Sequence, residues 1–275
     1  MSILELIYKE RKKFILAPLL GFLVGYLSSF LLTDFYKSES KLFPSDINQR
    51  SSISSSANSL QSLIGVSAGI EPRLQRYFSI LNSDDFIFNF LTSSGNIDKF
   101  LNKSANINDL NSEDILVINA IKDFSVRKFK QHFSSKYEIK TGEITFDFIW
   151  SDPVLSSQLL TEYISFFNKH VAELDILKAE SNIEYLNNYY NQNNQSPNLE
   201  SLKTISALLT YETNRIMYAT TTDSYAFEVI DSAAIPRERF KPNRFFLGIS
   251  SALVSFIIML TVSLFPILKN KIKIS

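Results

Sequence analysis

The chain has 275 residues, 45% of them apolar, and its 28 basic and 28 acidic side chains leave no net charge. Balanced charge without a basic tract interleaved with aromatics argues against nucleic acid as a partner. Cysteine is absent, which excludes disulfides, thiolate metal sites and a cysteine nucleophile together.

Apolar residues are concentrated at the two ends. Phe14 to Thr33 is the first apolar run, preceded by Lys9, Arg11, Lys12 and Lys13. About 20 such residues suffice to cross the hydrocarbon core as a helix. A basic stretch before an apolar run also describes a signal peptide. This run, however, exceeds the usual ~7–15 residues of a signal core and lacks a small-x-small cleavage site, which favours an uncleaved transmembrane helix. Phe245 to Leu268 is the second run and contains no charge; it is expected to span the membrane, with residues 269–275 as a tail too short for a further domain. Basic residues outside both runs (Lys269, Lys271 and Lys273 at the second) place both termini in the cytoplasm by the positive-inside rule, although Arg237, Arg239, Lys241 and Arg244 crowd the opposite flank. A large middle domain translocates largely regardless of its charge, so the assignment stands as the expectation. Gly21 with Gly25, Gly248 with Ala252, and Ser251 with Ser255 recur at four-residue steps, a spacing that lets helix backbones approach closely in lipid.

Between the spans, Tyr36 to Phe43 alternates side-chain type and stops at Pro44, which predicts a strand. Residues 51–69 are serine-rich with apolar anchors at Leu60, Leu63, Ile64 and Val66; a flexible linker and a loop that orders against a neighbouring subunit both fit. Glu71 and Pro72 open a helix, and a second follows Ser83 and ends at Gly95. Asp84 and Asp85 read as its N-cap in preference to a catalytic or metal-binding pair. Ser112 begins a further helix whose apolar side is Ile115, Ile118 and Ile121. Tyr137 to Ile139 and Ile144 to Trp150 flank a turn at Thr141 and Gly142, predicting a hairpin packed on one face. Asp152 and Pro153 then cap and start a helix.

From Val154 to about Asn193 there is neither proline nor glycine, and Leu160, Ile164, Phe167, Val171 and Leu174, then Ile176, Ala179, Ile183, Leu186 and Tyr190, form two apolar stripes. A helix of this length would extend ~60 Å and needs a partner along its side. After a break at residues 193–198, Leu199 to Thr220 is again helical, with Leu202, Ile205, Leu208, Leu209, Ile216 and Met217 as apolar positions, so a helical hairpin is expected. Tyr225 to Asp231 returns as a strand to pair with the first, before Pro236 and Pro242 stiffen the approach to the second span. Phosphate-loop, nucleophile-elbow and zinc-helix motifs are all missing from the sequence. His132, in a basic segment expected to be exposed, and His170, on the long helix, read as surface or packing residues.

In this order the landmarks resemble the polysaccharide co-polymerases, the chain-length-determinant proteins of the bacterial inner membrane. They are the two terminal spans, the strand after the first, the loop from Ser62 through Gly65 to Gly69, the helix Arg76 to Ser83, the strand running into Asp152 and Pro153 with its long helix, and the approach at Ala234, Pro236 and Pro242. Arg239 stands where a further proline is usual in that family, and the helical hairpin is short for an O-antigen regulator. The resemblance implies an α+β fold. Its expected parts are a cytoplasmic N-terminus (1–13), a transmembrane helix (14–33), a periplasmic domain (34–244), a second span (245–268) and a cytoplasmic tail (269–275). The domain divides into a membrane-proximal base (34–153 and 223–244) and a projecting hairpin (154–222). It further implies a homo-oligomeric, non-enzymatic scaffold without cofactor or metal, working with a polysaccharide polymerase, the growing glycan and membrane lipid to set chain length. Some relatives carry a tyrosine kinase behind the second span; none is expected here. An adaptor of a capsule or exopolysaccharide exporter and a membrane-anchored periplasmic sensor are the alternative readings.

Overall fold

The computed structural model describes residues 11–45, 72–101, 115–192 and 199–272. In chain order they form α1 (Arg11–Ser28) with a 3-10 turn (Ser29–Leu31), β1 (Tyr36–Pro44), α2 (Pro72–Leu81), α3 (Asp84–Ser93) and α4 (Ile97–Phe100). Then come α5 (Ile115–His132), β2 (Phe133–Tyr137), β3 (Ile144–Trp150), α6 (Pro153–Gln192), α7 (Leu199–Thr221), β4 (Phe227–Asp231) and α8 (Arg244–Ile272). The fold is α+β. Contacts divide the chain into two units, one of Met1–Lys37, Trp150–Pro153 and Pro236–Ser275, the other of Ser38–Ile149 and Val154–Ile235.

In the second unit four strands lie in the order β2-β3-β1-β4. β2 and β3 are antiparallel from Phe133 opposite Phe148 to Tyr137 opposite Ile144. β4 pairs antiparallel with β1, Phe227 opposite Pro44 and Asp231 opposite Lys41, with an irregularity between Lys41 and Leu42. The return strand therefore joins the first strand, as its sequence predicts.

The core is aromatic and centres on Tyr163 of α6, whose ring lies 4.8 Å from Phe129, 4.9 Å from Phe90 and 4.9 Å from Phe133, mostly edge-on. Edge-on contacts suit the positive rim and negative face of such rings. The Tyr163 hydroxyl donates to the Leu81 carbonyl at 2.6 Å, and burial pushes its pKa well up. Four buried or part-buried hydroxyl bonds join the first turn of α6 and β1 to the neighbouring backbone. Ser156 donates to the Phe148 carbonyl (2.8 Å) and Ser157 to that of Ala233 (2.6 Å), while Ser38 and Ser40 donate to those of Ala234 and Asp231. Further along α6, the buried Asn168 side chain acts as a strand partner: its oxygen accepts from the backbone N–H groups of Ala226 (2.9 Å) and Phe227 (2.8 Å), and its amide donates to the Phe227 carbonyl (3.0 Å).

Beyond the core, α6 and α7 run antiparallel and are joined by polar groups. Arg215 binds Asp175 at 2.7 Å and reaches Glu212 at 3.4 Å, Tyr225 donates to Asp175 at 2.9 Å, and Asn182 donates to Glu212 at 2.7 Å. Burial first, and then the hydrogen bond to Asp175, push the Tyr225 phenol up.

Several expectations are corrected. The first hairpin strand spans Phe133–Tyr137, not Tyr137 to Ile139, because α5 passes directly into it and buries Phe133. Glu138 instead closes the turn, its N–H donating to the Glu143 carbonyl. Asp147, on the other face of β3 from Ile144, Phe146 and Phe148, is also buried, so that strand is covered beyond one face. The N-cap of α3 is Ser83; Asp84 and Asp85 sit in its first turn and pair with Lys130 and Lys122 of α5. The buried side of α5 is Ser125, Val126 and Phe129, while Ile118 is exposed. On α7, Leu208 and Met217 face solvent and Glu212 and Ala219 are buried, since its contact with α6 is made through ions and amides. His132 is half-buried, and loss of solvent lowers its pKa against an opposing hydrogen bond to the Ile149 backbone.

Asn168→Ala strands two N–H groups and one carbonyl in the core, each costing ~1–3 kcal/mol when unpaired. Thermal unfolding of the full chain in detergent is expected to show a loss of about 3 kcal/mol or more, whereas the exposed Asn191→Ala stays close to wild type.

Candidate functional site

The first unit is organised around the apolar helices α1 and α8, the two helices among the described residues long and apolar enough to cross a membrane. They pack on each other. A Cβ added at Gly21 would lie 2.5 Å from the Ser255 Cβ, one at Gly25 would collide with Ser251, and one at Gly248 would lie 2.7 Å from the Phe22 ring. The glycines thus stand where backbone meets side chain with no room for a methyl group. Ser255 donates to the Ala17 carbonyl at 2.7 Å, and Phe14 meets Phe256 edge-on at 6.1 Å. Ala252 is half-buried on α8.

At one end of the pair the flanking segments are tied together. Arg244, the first residue of α8, donates to both carboxylate oxygens of Asp34 at 3.1 Å, and its guanidinium lies 3.9 Å from the centre of the Phe30 ring. The Phe35 N–H donates to the Lys241 carbonyl (2.8 Å), and the Phe240 N–H donates to that of Phe35 (2.7 Å). Sequence reasoning missed this clamp. Its visible signal was an acidic residue just after the first apolar run and a basic one just before the second.

The remaining singled-out residues are scattered. Pro153 is the first residue of α6, directly after Asp152. The Ala234 carbonyl accepts from Ser38, and Pro236 and Pro242 flank the exposed residues 237–241. Gly65 and Gly69, with the whole serine-rich stretch, lie outside the described residues. Among the described residues no group of three or more His, Asp or Glu side chains could hold a metal ion. His170 packs beside the Phe86 ring at 5.1 Å.

No family model matches the chain and no curated protein matches it. Solved structures do. A full-length bacterial polysaccharide co-polymerase is 10% identical over 98% of this chain and 98% of that one, with a TM-score of 0.43. A fragment of the polysaccharide co-polymerase WzzB from Salmonella Typhimurium is 13% identical over 76% of this chain and 100% of that one, with a TM-score of 0.36. The chain is similar to polysaccharide co-polymerases. A mutant of the lipopolysaccharide O-antigen chain-length regulator of Shigella flexneri is 11% identical over 75% of this chain and all of that one, with a TM-score of 0.25. Likenesses of this strength assign no residue and no activity to the chain.

Gly21→Ala is expected to weaken the helix pair by about 1–3 kcal/mol, the usual cost of overpacking. Adding Ser255→Gly, which removes the nearest obstructing atoms, recovers part of that loss. The non-additivity, read from unfolding of the single and double variants in detergent, checks the contact.

Proposed function

We propose that this chain is an inner-membrane polysaccharide co-polymerase that regulates the chain length of a surface polysaccharide, an O-antigen or related glycan, as a homo-oligomeric scaffold without catalysis of its own. In this reading α1 and α8 cross the membrane within segments 14–33 and 245–268, and both termini are cytoplasmic. Residues 34–244 are periplasmic, with a base (34–153 and 223–244) carrying a helical hairpin (154–222). Its partners are the polymerase, the growing glycan and membrane lipid.

The observation that carries the reading is the pairing of the two terminal apolar helices in one unit, while most of the chain between them folds as a separate α+β unit. The ordered landmarks from β1 through Asp152 and Pro153 to Pro242 support it. Close Gly and Ser contacts supply the dispersion packing that holds helices together where lipid offers no hydrophobic drive.

Gel ladders of surface polysaccharide from the host with and without the gene test it. Loss of the modal cluster, leaving a random length distribution, is expected. An unchanged ladder refutes length control, and a ladder that vanishes favours a role in export.

A further inference from the structure

The basic residues that oppose the positive-inside pattern lie at a defined place. Residues 237–241 are bound to Phe35 by the backbone bonds at Phe240 and Lys241, and the Asp34–Arg244 pair closes the same end of the two apolar helices. Arg237, Arg239 and Lys241 are exposed there, and Arg237 and Arg239 make no ion pair among the described residues. Phe240, 45% exposed, lies under the ammonium groups of both Lys241 (5.3 Å) and Lys37 (5.8 Å). Phe245 and Phe246 of the first turn of α8 are exposed as well. Lys37, Arg237, Arg239, Lys241 and Arg244 outnumber the described carboxylates of this unit, which are Asp34, already bonded to Arg244, Asp152 and Glu238. Where such a helix pair spans a bilayer, exposed cations interleaved with aromatics at its end lie at the depth of lipid head groups.

We propose that Arg237, Arg239 and Lys241 form a docking surface for the phosphate head groups of anionic phospholipids, in the leaflet on the side of the chain's middle segment. The inference rests on the reading of α1 and α8 as membrane spans and does not depend on which side that leaflet faces. Guanidinium forks match phosphate oxygens in pairs, and each juxtamembrane cation favours anionic lipid by about fivefold. Exposure of the side chains suits a head-group surface, which is approached from the membrane, better than an enclosed pocket for a small anion. The surface holds the clamped end of the helix pair at one height in the bilayer.

The test offers equimolar phosphatidylglycerol and phosphatidylcholine to the full chain in neutral detergent and reads retained lipid by native mass spectrometry. Wild type is expected to favour phosphatidylglycerol, less so as salt is raised. The variant Arg237→Gln/Arg239→Gln/Lys241→Gln should lose that preference by roughly a hundredfold, and Arg237→Lys/Arg239→Lys/Lys241→Arg should keep it. Equal retention of the two lipids by wild type, or an undiminished preference in the glutamine variant, overturns the surface alone. Displacement of phosphatidylglycerol by inorganic phosphate beyond that caused by chloride at the same ionic strength overturns it in favour of a free-anion site. Retention of neither lipid overturns it together with the spans.

Discussion

The side chain of Asn168 is the constraint on which the larger unit depends. It sits on α6 and supplies, from one amide, the acceptor and donor that the backbone at Ala226 and Phe227 would otherwise seek in a neighbouring strand. Buried backbone groups must be paired, so the chain leaving α7 enters the sheet at one register only, with Phe227 opposite Pro44. The ring of Phe227 then stacks on Phe167 at 5.2 Å, one residue before Asn168. About two turns along α6, Asp175 continues the arrangement through Arg215 and Tyr225. Buried ions are expensive unless paired and hydrogen-bonded. Here they are both, and their directionality fixes how α7 lies along α6 where apolar contact alone would allow sliding.

The helix pair of the other unit solves a different problem. Two helices apolar on all sides have no preferred face in a hydrocarbon environment, so their mutual orientation must come from shape and from a few polar groups. Gly21, Gly25 and Gly248 supply the shape by admitting Ser255, Ser251 and Phe22 against bare backbone. Ser255 on Ala17 and Arg244 on Asp34 supply the polar bonds at separate points along the pair.

Much of this was legible before the structure. Long charge-free runs mark α1 and α8, and the absence of proline and glycine between Pro153 and Gln192 marks α6 as a single 40-residue helix. Strict alternation marks β3. What could not be read has physical reasons. β2 follows α5 without an intervening residue, so no turn signal separates helix from strand at Phe133. Asn168, Asp175 and Arg215 look like solvent-facing polar positions until the partners, 40 or more residues away, are known. The same applies to the clamp of Arg244 on Asp34. Ile118 and Met217 were expected to be covered because periodicity registers which face is apolar, not whether anything packs on it.

In the proposed topology the terminal helices cross a membrane as a pair and leave the middle of the chain on one side of it. Because the chain has no cysteine, Lys12→Cys and Lys203→Cys each introduce one thiol, on α1 before its apolar run and on exposed α7. Labelling with a membrane-impermeant maleimide in cells whose outer barrier has been opened is the direct measurement. The account predicts rapid modification at position 203 and none at position 12 until the cells are lysed; equal modification of both before lysis would contradict it.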